Sequence, residues 1–405
     1  MDIASSEEGG NTTGSVLPLL LPLNGIILLG FMSIAAPLPI LPLIMHKIGY
    51  FSPIVSGLIV GAQSISTVVS RRFAGHIVDR LGATWTTRRG LLVCVLSGLS
   101  FILSAFVLTF PPLAFAILLI GRIILGIGES MILTGAITWG IDRVGSRYSG
   151  TVMSWNGIAM YGALAAGAPI GLYAFNAQAS LFLSLLLVGA ILVLLPVLGS
   201  LVAHGVPAST IEKPDGINVS FSEVLKKIWP LGCALTFQMA GYGTIISFLT
   251  LVYASHHWSG AGTAFIFFGM AVVAVRFVFG GLPDKFGGRA VAVSSLCLSC
   301  AGQIILWQAV GPGFMVIGTV LTGMGVALGF PALGVEALKR VPPSNRGLVI
   351  AIFSAFQDLA FGLTGPVTGL FIRNNNYQSV FVAGAAGAVV AVVLVLISTQ
   401  RRRVV

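Results

Sequence analysis

Charged residues are scarce in this chain of 405 residues. Only 8% of them are Asp, Glu, Lys or Arg, while 56% are hydrophobic. A soluble globular domain carries about 25% charged residues, so the composition excludes an ordinary soluble domain. One crossing of a bilayer takes about 20 mostly apolar residues, and the chain is long enough for many crossings. The composition therefore predicts a membrane-embedded protein.

Cysteines are also rare, and the common catalytic motifs are missing. The four cysteines, Cys94, Cys233, Cys297 and Cys300, all fall in apolar segments. The C-x-x-C spacing of the last two is therefore better explained by two small apolar helix residues than by a redox or metal pair. The sequence has no Walker loop after a strand, no HExxH helix and no nucleophile elbow. We expect no enzymatic activity, no catalytic residue, no metal site and no cofactor, so a transmembrane gradient has to supply the energy.

Twelve apolar segments are long enough to cross a bilayer. When their connections are assigned alternately to the two sides, nearly all Arg and Lys residues fall on one side, and the other side receives only Lys47 and Arg373. The positive-inside rule then predicts an inner-membrane protein with both termini in the cytoplasm. The net charge of +10 therefore reflects topology, not binding to nucleic acid. The predicted spans are 18–45, 51–73, 90–109, 112–141, 149–175, 179–203, 226–254, 259–282, 289–311, 312–339, 346–373 and 376–399.

A polar segment divides these spans into two sets of six. Its His, Pro, Gly and mixed charges are typical of a linker. The predicted organisation is a cytoplasmic tail (1–17), a six-helix bundle (18–203), a cytoplasmic linker (204–225), a second six-helix bundle (226–399) and a basic cytoplasmic tail (400–405).

The two halves repeat each other in sequence. Residues 75–82 read G-x-x-x-D-R-x-G and residues 280–287 read G-x-x-x-D-K-x-G, and an Arg stands four residues before each copy. A second register, offset by 197 residues, matches six residues of the first half, among them Gly150 with Gly347 and Pro169 with Pro366. Internal repeats with a site at their interface are common in secondary transporters.

Twelve spans, a duplicated motif and a central linker resemble the major facilitator superfamily over residues 18–400. Residues 118–128 look like the second motif of that family, and residues 162–171 and 362–369 look like its proton-antiporter motif. The fifth span departs from that motif, with Ala168 where Gly usually precedes Pro. More narrowly, residues 121–128, 154–157 and 330–335 resemble the bacterial arabinose-efflux-permease-like branch.

The resemblance implies an all-α membrane fold of two pseudo-symmetric six-helix bundles. Such bundles work by alternating access around a central cavity, which the first, fourth, seventh and tenth spans line. The fourth and seventh spans of this chain carry several of the polar residues considered next.

Three ionisable residues, Arg122, Glu129 and Asp358, fall at mid-membrane depth. Charge is costly there and indicates a functional site by default. Because desolvation favours the neutral form of a carboxyl group, Glu129 and Asp358 are candidates for proton coupling. The alternative for Asp358 is a structural hydrogen bond between helices. Arg122 and Glu129 share a helix face about 10.5 Å apart, so we expect them to line one cavity without a direct bond.

A set of amide, hydroxyl and aromatic side chains also falls near the centres of the spans. Such groups form a binding wall for polar or amphipathic organic molecules, although each one could instead bond a neighbouring helix. Together with Arg122 they favour an anionic or zwitterionic substrate. The predicted cavity residues besides Arg122 are Gln63, Trp155, Asn156, Tyr161, Gln238, Tyr242 and Gln357.

The duplicated motif predicts a gate at the cytoplasmic face. In the fold that the resemblance implies, Asp79 should face the start of the eleventh span near residues 344–346, and Asp284 the start of the fifth near 146–149, where helix N-termini favour an anion. Four cations complete the predicted gate with charge-assisted bonds. The alternative is that they are only the positive charges that set the orientation of the protein in the membrane. Two of them lie near the ends of their spans, where long side chains reach the interface. These cations are Arg71, Arg80, Arg276 and Lys285.

These features predict a monomeric, proton-coupled exporter of small organic molecules. The antiporter-like proline motifs of the fifth and eleventh spans favour export. The alternative is a proton-coupled symporter or a uniporter that takes up a small polar or anionic metabolite. A receptor or scaffold without transport is disfavoured, because such a protein has no need of buried acids.

Overall fold

The computed structural model describes residues 16–38, 40–49, 53–178, 180–209, 220–369, 372 and 376–400. Most of the predicted tails (1–15 and 401–405), the centre of the predicted linker (210–219) and Arg373 lie outside the described residues. Fifteen α-helices and no strand occur in the described part, which confirms the predicted all-α class. The helices are α1 (Leu17–Ala35), α2 (Leu41–Lys47), α3 (Pro53–Leu81), α4 (Ala83–Phe106), α5 (Pro111–Val144), α6 (Ser149–Asn176), α7 (Leu181–Gly205), α8 (Phe221–Ser255), α9 (Ala261–Phe279), α10 (Leu282–Phe286), α11 (Gly288–Trp307), α12 (Pro312–Ala327), α13 (Gly329–Leu338), α14 (Arg346–Gly369) and α15 (Val380–Gln400).

Ten of the described segments are long and apolar enough to cross a membrane, with α12 and α13 forming one of them. The helices α3 and α14 correspond to the second and eleventh predicted spans, and they carry Arg71 and Asp358. Both helices pack at the centre of the molecule, against each other.

Proline breaks two of the predicted spans. The first predicted span, 18–45, is divided, because α1 ends at Ala35 and turns lead through Pro37 to α2. In the tenth span the break lies at Leu328, between α12 and α13. Pro331 has no N–H to donate to the carbonyl four residues earlier, which leaves the Ala327 oxygen free for another donor.

The helices pack as two sets. Contacts are dense within α1–α7 and within α8–α15, and the two sets meet mainly where α3 packs on α14 and where α6 packs on α9, α10 and α13. Glycines allow matching close approaches in both sets. A Cβ at Gly126 would lie 2.5 Å from the Gln63 carbonyl oxygen, and one at Gly323 would lie 2.9 Å from the Phe268 carbonyl oxygen. The repeat in the sequence is therefore also a repeat in packing.

The first copy of the duplicated motif is helical. We predicted that the second span ends at residue 73, but α3 continues to Leu81, so Asp79 lies in its last turn. The second copy departs from this arrangement, because the helix ends at Phe279 and α10 begins at Leu282. The longer α3 also moves Arg71 from the predicted end of a helix to ten residues inside it.

Candidate functional site

One face of α3 carries a stripe of polar side chains, Gln63, Thr67 and Arg71, one turn apart. The first two bind Glu129 of α5, since Gln63 Nε2 and Thr67 Oγ1 donate to Glu129 Oε2 at 2.7 and 3.0 Å. Glu129 is partly buried and forms no ion pair with any described residue. Because both donors bind Oε2, the Oε1 atom is the one free to take up a proton.

Arg71 joins the two halves of the molecule. Its Nε donates to Oδ2 of Asp358 on α14 at 2.9 Å, and the two side chains are 2% and 17% exposed. Arg71 was expected to reach towards the membrane surface, but its side chain is buried and bonds Asp358 instead. The structural hydrogen bond between helices that we considered for Asp358 is present, and it is an ion pair between the halves.

Arg122 is the unusual member of the site. Its side chain is 0% exposed, and its three guanidinium nitrogens have no hydrogen-bond partner among the described residues. Arg122 interacts electrostatically with Glu129 but makes no hydrogen bond or ion pair with it. This agrees with the expectation that the two residues share a cavity without a direct bond.

A cavity of about 330 Å³ lies between the two halves and brings these groups together. Aromatic rings form one part of its wall, where Tyr242 lies 6.2 Å from Tyr161 and 5.5 Å from Phe361 between ring centroids. Apolar side chains such as Phe31 and Ile246 extend this wall. The predicted site residues that line the cavity are Gln63, Arg71, Arg122, Glu129, Tyr161, Tyr242, Gln357 and Asp358.

Three residues predicted for the cavity wall are not among its lining residues. Gln238 is 0% exposed and donates to the Gly325 carbonyl at 3.0 Å, close to the break between α12 and α13. Trp155 packs edge-on against Phe277 at 5.7 Å, and Asn156 is buried. Gln238 and Trp155 therefore hold neighbouring helices, which is the alternative that we considered for each of these side chains.

Arg276 also crosses between the halves, and it too is buried at 3% exposure. Its Nε donates to the Ala327 carbonyl at 2.8 Å, which is the oxygen that Pro331 leaves free. Its guanidinium lies 5.1 Å from the centre of the Tyr161 ring. Gly157 makes room for it, because a Cβ there would collide with Nη1. The Arg276 side chain was expected to reach towards the membrane surface, but it is buried between the halves instead.

Asp79 binds the first turn of α14 in the other half. Its two carboxylate oxygens accept hydrogen bonds from the Gly347 and Leu348 amides at 2.9 and 3.1 Å. The contact lies slightly further along the chain than the predicted 344–346. The first amides of a helix have no partner within the helix and lie at its positive end, so a carboxylate is well placed there. We call the end of the bundle at which Asp79 lies the latch end.

Asp284 makes the matching contact with α6. Its carboxylate accepts from the Gly150 amide at 2.9 Å, and from the Thr151 amide and hydroxyl, each at 2.8 Å. Burial raises the pKa of Asp284, and these hydrogen bonds oppose that rise. Gly150 and Gly347 match on the second register, so the repeat places equivalent amides against equivalent acids.

The other two predicted gate cations lie apart from these contacts. Arg80 and Lys285 are exposed, and neither forms an ion pair within the described part of the chain. A different ion pair joins the halves nearby, between Arg346 of α14 and Asp142 of α5 at 3.9 Å. Of the four predicted cations, Arg71 and Arg276 thus contact the opposite half.

Sequence reasoning missed two contributors to the site. Thr67 binds Glu129, and the Ala327 carbonyl binds Arg276. The four-residue spacing of Gln63, Thr67 and Arg71 could have indicated the first. Pro331, four residues after Ala327, could have indicated the second.

Comparison with known proteins gives matches over nearly the whole chain. The family model of the Major Facilitator Superfamily matches residues 23–282 and 231–404. A protein of Salmonella typhimurium named an uncharacterized MFS-type transporter is 41% identical over 376 residues, which cover 93% of this chain and 95% of that protein. A protein of Burkholderia pseudomallei with the same type of name is 40% identical over 373 residues, which cover 92% of this chain and 90% of that protein.

Solved structures show the same fold at low sequence identity. The E. coli fucose:proton symporter superposes with a TM-score of 0.78 at 16% identity, covering 95% of this chain and all of the other. The human organic anion transporter superposes with a TM-score of 0.76 at 15% identity, covering 94% and 99%.

Proposed function

This chain belongs to the major facilitator superfamily, and we propose that it is a proton-coupled transporter of small organic molecules in which Glu129 carries the proton. The observation that carries the proposal is the environment of Glu129. It is a partly buried carboxylate in a cavity between the halves, held by neutral donors, with no ion pair within the described residues. A carboxyl in such a place can exist with or without its proton.

The contacts between the halves support an alternating-access cycle. Asp79, Asp284 and the Arg71–Asp358 pair hold the latch end closed, so opening at that end has to break them. Arg71 lies one turn from Thr67 on the same face of α3, and both Arg71 and Asp358 interact electrostatically with Glu129. A change of charge on Glu129 therefore alters the balance at the ion pair that joins the halves.

The proposed energy source is the proton gradient, without a cofactor. One charge crossing the membrane yields about 2.3 kcal/mol per 100 mV, and a proton yields about 1.4 kcal/mol per unit of pH difference. We place the protein in the inner membrane as a monomer, with its termini and latch end in the cytoplasm. The distribution of Arg and Lys along the sequence supports this orientation.

The direction of transport has two candidates. Export by proton antiport is supported by the proline motifs, and Pro169 lies inside the continuous helix α6. Uptake by proton symport is supported by Arg122, because an anion bound there would favour the protonated form of the nearby Glu129. Antiport requires that substrate and proton compete, whereas symport requires that they bind together.

The test is proton flux in liposomes containing the purified protein. With an externally added substrate mixture, the wild-type protein should move protons, and Glu129→Gln should not, because its amide has the size of the carboxyl but cannot release a proton. The matched control is Glu336→Gln, which removes the carboxylate of a pair with Lys339 that lies within one half and away from the cavity, and it should leave proton flux unchanged. Substrate-driven proton flux of wild-type size in Glu129→Gln would overturn the proposal.

A further inference from the structure

Arg122 holds a positive charge that no described residue neutralises by contact. The side chain is 0% exposed and all three of its nitrogens are unpartnered. A buried charge without a partner is strongly unfavourable. A protein can keep such a group where a ligand supplies the missing partner.

The packing of α5 prevents Arg122 from turning away. Gly126, one turn along the helix, lies against the α3 backbone, and a Cβ there would lie 2.5 Å from the Gln63 carbonyl oxygen. Gly121 lies against α4, where a Cβ would collide with the Ser100 hydroxyl. Rotation of α5 would drive side chains into both neighbouring helices. The α5 backbone at Arg122 is therefore fixed beside the cavity that this residue lines, and only the side chain can move.

The charged residues that line the cavity leave room for one negative charge. Arg71 and Asp358 neutralise each other. When Glu129 is protonated, the charge on Arg122 remains, and one monoanion balances it. The titratable groups around Glu129 and the cavity are Arg71 of α3, Cys94 of α4, Arg122 of α5, Tyr161 of α6, Tyr242 of α8, Arg276 of α9 behind Tyr161, and Asp358 of α14.

The remaining wall of the cavity is aromatic and apolar. Tyr161, Tyr242 and Phe361 form a cluster that suits an apolar or aromatic body. A planar guanidinium with several donors matches the two oxygens of a carboxylate. The cavity, at about 330 Å³, is of a size for small metabolites.

We propose that Arg122 binds the carboxylate of a small aromatic or apolar monocarboxylate, which enters the cavity when Glu129 holds a proton. This inference rests on the proposed function and adds the substrate class. Binding of the anion and binding of the proton then reinforce each other. The proton removes the negative charge of Glu129 that repels the anion, and the anion offsets the positive charge of Arg122 that disfavours the proton. Such joint binding is the requirement for symport.

The test is equilibrium binding by calorimetry with the full-length purified protein. The probes are benzoate, phenylacetate and hexanoate, each compared with its own amide, which has the same shape without the charge. At mildly acidic pH, at least one carboxylate should bind ten times or more tightly than its amide, a difference of about 1.4 kcal/mol. The same affinity should fall as the pH rises and Glu129 loses its proton.

Variants assign the effect to Arg122. Arg122→Gln should remove the preference for carboxylate over amide, and Arg122→Lys should keep part of it, because the charge remains but the planar fork is lost. A binding role also predicts that Arg122→Gln unfolds no more easily than the wild type in the absence of ligand, since the substitution removes an unpaired buried charge. A marked loss of thermal stability would instead indicate a structural role and contradict the proposal.

Two binding results would also overturn the inference. One is that no carboxylate in the panel binds better than its amide, and the other is that Arg122→Gln keeps the preference. Glu129→Gln separates this inference from the proposed function, because it should still bind carboxylate but without the dependence on pH. If Glu129→Gln fails to abolish proton flux while the Arg122-dependent preference persists, the proton site is wrong and the carboxylate site stands.

Discussion

Replacing Asp358 with Asn should open the latch end of the molecule. The substitution keeps the size of the side chain and removes the charge that faces Arg71. The Nε–Oδ2 distance is 2.9 Å, and the Arg71 side chain is only 2% exposed. The guanidinium therefore loses its carboxylate partner at a place that water scarcely reaches.

The size of the effect follows from the burial of the pair. Two unit charges about 4 Å apart attract each other by about 4 kcal/mol at an effective dielectric constant of ~20. Breaking a buried pair by removing one partner costs about 3–5 kcal/mol. Because the pair joins α3 to α14, the cost falls on the closed arrangement of that end. If half of this cost, about 2 kcal/mol, shifts the equilibrium between closed and open molecules, the ratio of open to closed molecules should rise about 30-fold.

Distances between spin labels measure this ratio. One label is placed at Leu81, which is 56% exposed, and the other at Pro342, which is exposed near the start of α14, after replacement of the four native cysteines. Asp358→Asn should increase the population with the longer distance. The control Glu336→Gln breaks an ion pair that lies within one half and whose Lys339 side chain is 48% exposed, so it should leave the distances between the halves unchanged.

A double variant separates the unpaired charge from other effects. Arg71→Gln with Asp358→Asn removes both charges and leaves none unpaired, so it should be more closed than Asp358→Asn alone. If Asp358→Asn gives the wild-type distances, the ion pair does not hold the halves together. If the double variant is as open as the single one, the unpaired guanidinium is not the cause.

Three other substitutions test further contacts between the halves. Asp79→Ala leaves buried amides at the start of α14 without acceptors, which costs about 1–3 kcal/mol of stability. It should speed hydrogen exchange at the start of α14 but not at the start of α6, and Asp284→Ala should do the reverse. Equal effects of either substitution at both helix starts would contradict two separate contacts. Gly157→Ala places a Cβ against the Arg276 guanidinium and should lower stability by about 1–3 kcal/mol in thermal unfolding. Gly162→Ala on the same helix, whose nearest neighbouring atom lies 3.7 Å away, is the control, and equal losses for both would contradict the crowding at Gly157.

The sequence was sufficient to predict which elements the duplicated acids meet. The motifs indicated a family, and the fold of that family implied which helix starts face Asp79 and Asp284. Helix N-termini attract anions whatever the side chains around them, so a carboxylate suits both places. The structure places the backbone amides of Gly347 and Gly150 at these acids.

The partner of Arg71 could not be predicted, for two physical reasons. The pair joins residues 287 positions apart, and it depends on which faces of α3 and α14 meet. The helix also extends further than the predicted span, because α3 continues to Leu81 beyond the predicted end at residue 73. A helix can extend beyond the hydrocarbon region, so hydropathy gives the centre of a span better than its end.

Depth alone also failed to separate cavity residues from packing residues. Gln238 and Tyr242 lie one turn apart on α8, but only Tyr242 lines the cavity. The Gly325 carbonyl, close to the break before α13, binds the Gln238 amide. An amide side chain in a membrane bonds the nearest available acceptor, and the position of that acceptor depends on where another helix breaks.

The two arginines that cross between the halves differ in whether their contacts depend on an ionised partner. Arg71 and Arg276 occupy matching positions of the repeat, and so do Asp358 and Tyr161 on the second register. One crossing is an ion pair at 2.9 Å, and the other is an arginine 5.1 Å from an aromatic ring centre. The attraction of a ring for a cation is worth about 0.5–2 kcal/mol and needs no ionised group on the ring, whereas the ion pair depends on a carboxylate that can take up a proton.

The duplication has therefore produced one contact that depends on charge and one that does not. The charge-dependent contact lies on the same helix face as the two residues that hold Glu129. If the proposed function holds, protonation of Glu129 acts on the Arg71–Asp358 pair. Arg276 remains bound to the Ala327 carbonyl and keeps the second contact between the halves intact. Tyr161→Asp would make the Arg276 contact depend on charge as well. Opening of the latch end, measured with spin labels beside Asp284, should then vary with pH at the Arg276 contact as it does at the Arg71–Asp358 pair.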